Sequence, residues 1–186
     1  VSPTRVTALD LATVSGVCFG TPGTVPTFQT WDLSRVKGRG ARGVEFMRKL
    51  LNHIEVYRPE LVGIEQPMRP QIMVRLNSSQ DVQMFLVGIV VLAETVCASR
   101  GIPTTLIDPQ QARQHFVGQA RFPEAKQGKA AVMKMCKVLR WSPENDNESD
   151  AGCLWDHLCA QQSPAAFLAA AVNRPHRGSR RHGRGT

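Results

Sequence analysis

The sequence predicts an α/β protein: a mixed five-stranded sheet, in which an antiparallel meander continues into parallel strands, with helices flanking it. Three observations carry that expectation. Three β-type runs follow one another near the start, joined only by short turns. Two later short runs, LVGI at 61–64 and TTLI at 104–107, read as strands, and the first lacks alternation, as strands buried on both faces do. Segments of helical periodicity separate those later runs, and a meander followed by βαβ crossovers gives a mixed sheet covered on its faces.

Taken in order, residues 4–9 (TRVTAL) are apolar and β-branched and run into Asp10. Residues 14–20 and 27–33 read as the next two strands, with Gly and Pro at 22–26 marking the turn between them. Residues 35–43 (RVKGRGARG) form a basic, Gly-rich loop. From 44 to 57 the spacing is helical: Val44, Met47, Leu50, Leu51, Ile54 and Tyr57 share a face, and Pro59 ends the helix. The run at 61–64 (LVGI) is a short buried strand that leads into Glu65. A polar loop at 66–78 contains Arg69 and Arg75. Ser78 or Ser79 is placed to cap a helix over about 80–100, closed by Gly101. Residues 104–107 are the fifth strand, and Asp108-Pro109 suits a first helical turn. A basic helix is expected over 129–139 and a last one over 149–161, stopped by Pro164, with 165–172 extending the helical region. Residues 1–172 thus read as one domain, while 173–186 hold no apolar residue and are expected to be a disordered basic tail.

A chain of 186 residues, 42% hydrophobic and 20% charged, is an ordinary globule with a core of its own. Its formal charge of +8 favours an anionic partner, a nucleic acid or an acidic membrane. Five arginines of the tail account for most of that excess. The body is polarised as well: basic residues from Arg113 to Arg140 precede an acidic cluster of Glu144, Asp146, Glu148, Asp150 and Asp156. The apolar stretch at 85–93 is shorter than a bilayer span, no signal peptide pattern precedes the first strand, and a cytoplasmic protein without a membrane partner is expected. The five cysteines lie in apolar runs with no CxxC, so they read as reduced core residues. A zinc site drawn from Cys153, His157 and Cys159 has unsuitable spacing and no fourth ligand.

The carboxylates carry the chemistry. Asp10 closes the first strand and Glu65 the fourth, and in open α/β sheets sites lie beyond the strand ends. Asp150 falls in the first turn of the last helix, where the helix dipole favours an anion. Asn147 stands one turn earlier, either as a further ligand or as half of a capping pair with Asp150. Three converging carboxylates raise one another's pKa unless a cation joins them. Magnesium, with manganese as its substitute, takes such oxygen ligands, and two ions about 4 Å apart promote in-line phosphodiester displacement.

These segments resemble the RuvC family of Holliday-junction resolvases, which have an RNase H-like fold. Asp10-Leu-Ala-Thr-Val-Ser-Gly16 is similar to the family's opening strand and turn, and Gly63-Ile64-Glu65-Gln66 to its Ile-Glu-Gln. Asp108-Pro109-Gln110-Gln111-Ala112-Arg113, then Gly118 and Lys129-Ala-Ala-Val132, resemble its Pro-x-x-Val-Lys, Gly and Lys-x-x-Val elements. Asn147-Glu-Ser-Asp150-Ala151 resembles its last acidic motif.

The resemblance implies a homodimeric, magnesium-dependent endonuclease that resolves four-way DNA junctions by symmetric paired nicking. It implies Asp10, Glu65 and Asp150 as metal ligands, Lys129 beside the scissile phosphate, and the 80–100 helix as the dimer helix. Two positions depart from the family. Asn147 stands where an Asp or His is common and brings no charge to a metal, with Asp146 beside it as the alternative ligand. Met68 stands where some members carry an aromatic wedge, and is apolar enough to insert between bases. Phosphate contacts are expected from Lys37, Arg39, Arg42, Arg69, Arg75, Arg113, Arg121 and Lys126. The competing readings are a nuclease for forks, flaps or RNA–DNA hybrids, and a non-catalytic junction binder.

Overall fold

A computed structural model describes residues 5–67 and 79–162. Five strands, β1 (Val6–Asp10), β2 (Val14–Gly20), β3 (Thr27–Asp32), β4 (Leu61–Glu65) and β5 (Thr104–Ile107), form one sheet in the order β3-β2-β1-β4-β5. β1 pairs antiparallel with β2 and parallel with β4, and β4 pairs parallel with β5. The meander and the two crossovers are therefore as the strand-like runs predict. Five helices complete the described chain: α1 (Arg39–Tyr57), α2 (Gln80–Ser99), α3 (Pro109–Val117), α4 (Ala125–Val138) and α5 (Asp146–Gln162).

Helices cover both faces of the sheet. On one face Leu9, Val17, Trp31, Val62 and Ile64 pack with Phe46, Leu50 and Ile54 of α1 and with Phe85, Ile89 and Ala93 of α2. On the other, Val6, Ala8 and Cys18 pack with Phe116 of α3, Val132 of α4, and Leu154, Trp155 and Leu158 of α5. α5 is buried almost all round from Glu148 to Asp156, as a central core helix is. Each fully buried leucine on it, Leu154 and Leu158, contributes about 1.5–3 kcal/mol by leaving water. All five cysteines are buried and unpaired, in keeping with core residues.

Several boundaries differ from expectation. α1 begins at Arg39, inside the segment expected to be loop, because it starts at Gly38 (φ 89) with no side-chain cap and no acid in its first turn. Its buried face is also rotated: Phe46 and His53 are buried, whereas Val44 is 63% exposed. Aromatic contacts decide this, since Trp31 meets both Phe46 and His53 edge-on. α4 begins four residues before the expected start, and α5 begins at Asp146, three before it. Ser79 caps α2, accepting from the Val82 amide. α2 is long and apolar enough to cross a membrane by length and composition, more than its short apolar stretch implies, but its Phe85, Ile89, Ala93 and Cys97 are buried in the core. Met68, Arg69, Arg75, the 165–172 extension and the 173–186 tail lie outside the described residues.

Candidate active site

Parallel pairing sets the first two carboxylates side by side. Leu9 is in register with Ile64, so Asp10 and Glu65 are the next residues of adjoining strands, both at the carboxyl end of the sheet. β3 also points to that end, and α3 and α5 both start there, so the basic turn after β3 and the last acidic motif converge on the same rim.

Asp150 reaches the pair because of Gly16. Gly16 lies opposite Asp10 in the β1–β2 ladder. A Cβ built on it would fall 1.9 Å from the backbone oxygen of Asn147 and 2.3 Å from its carbonyl carbon. The absent side chain admits the first turn of α5 onto the sheet. Asp150, the fifth residue of α5, then sits in its second turn, not the first as expected. Asp150 is 8% exposed.

Electrostatics bind the three acids into one unit. Burial pushes the Asp10 carboxyl well above its ordinary range, and the charges of Glu65 and Asp150 add to the rise. Glu65 is raised by burial and by Asp150, although a hydrogen bond with Asp10 eases its ionisation. Of the two, Asp10 is the more strongly pushed toward its neutral form. Burial raises Asp150 too, while Arg113 and Lys129 pull it down.

The cations come from α3 and α4. Lys129 Nζ lies 2.7 Å from Asp146 Oδ2 and 3.8 Å from Asp150 Oδ2. Burial works against its charge, but Asp146, Asp150 and Asp10 together raise the Lys129 pKa. The charge of Arg113 acts on Glu65 and Asp150 alike, so this residue belongs to the acidic centre and not only to a phosphate-binding surface. With Asp10 closed on Glu65 and Asp150 facing Lys129, no group of three or more His, Cys, Asp or Glu among the described residues is arranged to hold an ion in common.

Asn147 lies in the first turn of α5 with its backbone against Gly16. The capping alternative for it is overturned: the cap is Asn145, whose Oδ1 accepts from the Glu148 amide at 3.0 Å. Sequence reasoning missed this residue and the network around it. Thr30 Oγ1 donates to Glu148 Oε1 at 2.7 Å, and Asn145 Nδ2 donates to Thr30 Oγ1 at 2.7 Å. Glu148 is 3% exposed and accepts a further bond from the Glu144 amide. An Asn preceding an acidic helix start was the available signal.

The expected phosphate contacts differ in their freedom. Lys37 is exposed on the turn after β3 and Lys126 on the first turn of α4. Arg39 pairs with Asp81 at 3.8 Å, and Arg42 Nε donates to the Val36 carbonyl at 2.9 Å, so both are partly committed. Arg121 Nε donates to Gln110 Oε1 at 3.2 Å.

No protein-family model matches the sequence, and no curated protein matches it either. Solved structures do match. A T. thermophilus RuvC in complex with a Holliday junction substrate aligns with TM-score 0.60 at 17% identity, over 91% of this chain and 96% of that one. The fold is that of RuvC. A second Thermus thermophilus RuvC structure aligns with TM-score 0.59 at 18% identity, over 92% of this chain and 98% of that one. The yeast mitochondrial Holliday junction resolvase Ydc2 aligns with TM-score 0.59 at 12% identity, covering 92% of this chain and 85% of that one. At such identities the likeness is one of fold, which by itself assigns no chemistry to the residues at the strand ends.

Proposed function

We propose that this chain is a metal-dependent endonuclease that resolves four-way DNA junctions by paired nicking. The observation that carries the reading is the hydrogen-bonded Asp10–Glu65 pair at the ends of adjoining strands, overlain by Asp150 and flanked by Lys129 and Arg113. Buried carboxyls that raise one another's pKa are a costly arrangement without a counter-charge. The donor set suits magnesium or manganese: three carboxylates, with the Asn147 amide oxygen as a neutral fourth donor. Such an ion would supply the charge that lets all three acids ionise, together with the polarisation needed for water to attack a phosphodiester.

The chain's own residues have separate tasks. Asp10, Glu65 and Asp150 orient the oxygens around the attacked phosphorus. Lys129 Nζ, tethered by Asp146, meets a nonbridging phosphate oxygen and neutralises the charge that develops there. Arg113, whose charge acts on Glu65 and Asp150, holds a neighbouring phosphate. Lys37 and Lys126 contribute salt-sensitive grip, and Met68, Arg69 and Arg75 form the rest of the expected DNA surface. A homodimer would deliver the paired cuts. Met84, Val87 and Val91 on α2, between 44% and 55% exposed, support pairing with a second copy through that helix.

The deciding experiment is cleavage of a labelled four-way junction in magnesium, beside linear duplex and fork controls, by the native protein and by Asp10→Asn. Symmetric nicks that disappear in Asp10→Asn while binding persists are expected. Equal cutting of all substrates would reduce the reading to a general nuclease, and binding without cutting in magnesium or manganese would remove catalysis from it.

A further inference from the structure

Beside the acidic centre, and sharing Arg113 with it, lies a recess of about 240 Å³ between α3, the loop that follows it and α4. Its walls include Gln110, Arg113, Arg121, Phe122, Glu124 and Gly128. Drug-sized pockets run to roughly 300–1,000 Å³, so this one has room for a single small ring system. We propose that it is a nucleobase pocket, receiving the base next to the phosphate that is cut. The inference rests on the nuclease reading above and adds a specificity site to it.

Three features support a base as the occupant. The first is an aromatic platform fixed in position. Phe122 is partly buried against Gly128 of α4, where an added Cβ would stand 3.2 Å from Phe122 Cδ2. A side chain at this position, one residue before Lys129, would press the ring back by a few tenths of an ångström, so glycine suits its close seat on the helix. The second is a rigid loop. Gln114 Nε2 donates to the Gly118 carbonyl at 3.1 Å, Gln119 Nε2 to the Arg121 carbonyl at 2.7 Å, and Arg121 Nε to Gln110 Oε1 at 3.2 Å. A preformed pocket loses little order on binding. The third is the set of polar groups left to the occupant. Glu124 stands at the N-cap of α4, but its side chain makes no cap bond, so its carboxylate remains an acceptor. Gln110 gives its oxygen to Arg121 and keeps its amide hydrogens as donors.

An acceptor facing an amide donor suits the edge of a base that carries an exocyclic amino group beside an acceptor nitrogen, as cytosine and adenine do. Arg113 fixes the register. It lines the recess together with Phe122 and with Gly128, the residue before Lys129, so a nucleotide whose phosphate meets Arg113 and Lys129 has its base beside Phe122. Specificity is thereby assigned to a pocket on the α3–α4 side of the centre.

The test places an abasic residue, and then each of the four bases, at every nucleotide flanking the mapped cut in a four-way junction. Cleavage by the native protein should fall about tenfold when one such base is missing, the scale of a single base–aromatic stack. Cytosine or adenine should be preferred at that position. Phe122→Leu, which keeps an apolar cover over Gly128, should cut the intact junction about tenfold more slowly and respond less than twofold to the abasic change. Glu124→Ala, at an exposed position, should melt like the native protein yet lose the preference for amino-bearing bases. Cleavage with no abasic-sensitive position overturns the pocket alone, as does Phe122→Leu remaining as sensitive as the native protein. Failure to bind or cut any junction overturns the nuclease reading and the pocket together.

Discussion

Replacing Gly16 by alanine tests how the acidic centre is assembled. The new Cβ would lie 1.9 Å from the Asn147 carbonyl oxygen, 2.3 Å from its carbon and 2.9 Å from the Glu148 amide nitrogen, against an ordinary contact beginning at 3.4 Å. All three atoms are backbone, so no side chain can swing aside. The first turn of α5 must move by about 1.5 Å, or β2 must yield by as much. Overpacking of this kind costs about 1–3 kcal/mol. For a chain of this size each kcal/mol lowers Tm by about 2–4 °C. Asp150 lies just beyond the displaced turn, and a misplacement of about 1 Å at a reacting centre costs on the order of 100-fold in rate. Gly16→Ala should therefore melt several degrees lower, bind a four-way junction as before, and cut it about 100-fold more slowly under single-turnover conditions with saturating enzyme. Cleavage within threefold of the native rate, with Tm unchanged, would refute the idea that the glycine gap positions Asp150.

Three further outcomes follow from the same geometry. Asp10 retains its proton to higher pH in the folded than in the unfolded chain, so the stability tied to that proton is full below the ordinary carboxyl range and is lost as pH rises through the folded value. Asp10→Asn should accordingly raise Tm at pH 7 in a chelator, with the gain shrinking as pH falls toward 4; a lower Tm for the variant at pH 7 would contradict this. Asn147→Asp should lower the magnesium concentration that gives half-maximal cleavage, and an unchanged or higher requirement would mean that Asn147 donates nothing to the ion. His53 is 5% exposed, shares a 2.9 Å hydrogen bond with Thr7 and is held by burial at a pKa of about 4. Its contribution is present above pH 6.5 and lost as pH falls to 4, a loss of about 3 kcal/mol that His53→Gln should remove from the acid limb of the stability curve.

The strands were legible because each is a short run rich in β-branched, aromatic or aliphatic residues, and Asp10 and Glu65 because a carboxylate directly after an apolar run has few structural uses. Parallel pairing then made their proximity nearly inevitable. What sequence could not reveal were features that depend on contact between distant segments. The start of α1 carries neither a side-chain cap nor an acid, so its basic, glycine-containing first turns look like a loop. The choice of Phe46 and His53 over Val44 as the buried stripe depends on Trp31. Arg113 reads as one more basic residue until α3 is laid beside the strand ends. Glu148 reads as one more acid in a solvated cluster until β3 provides Thr30.

That last contact has a mechanical consequence. β3 is an edge strand, bonded to β2 on one side only. Through Thr30, Asn145 and Glu148 it is buckled to the turn of α5 that precedes Asp150. Fraying at this margin would loosen the buckle and let the helix start drift from the strand ends. Amide exchange along residues 27–32 should thus report on the integrity of a centre assembled two strands away.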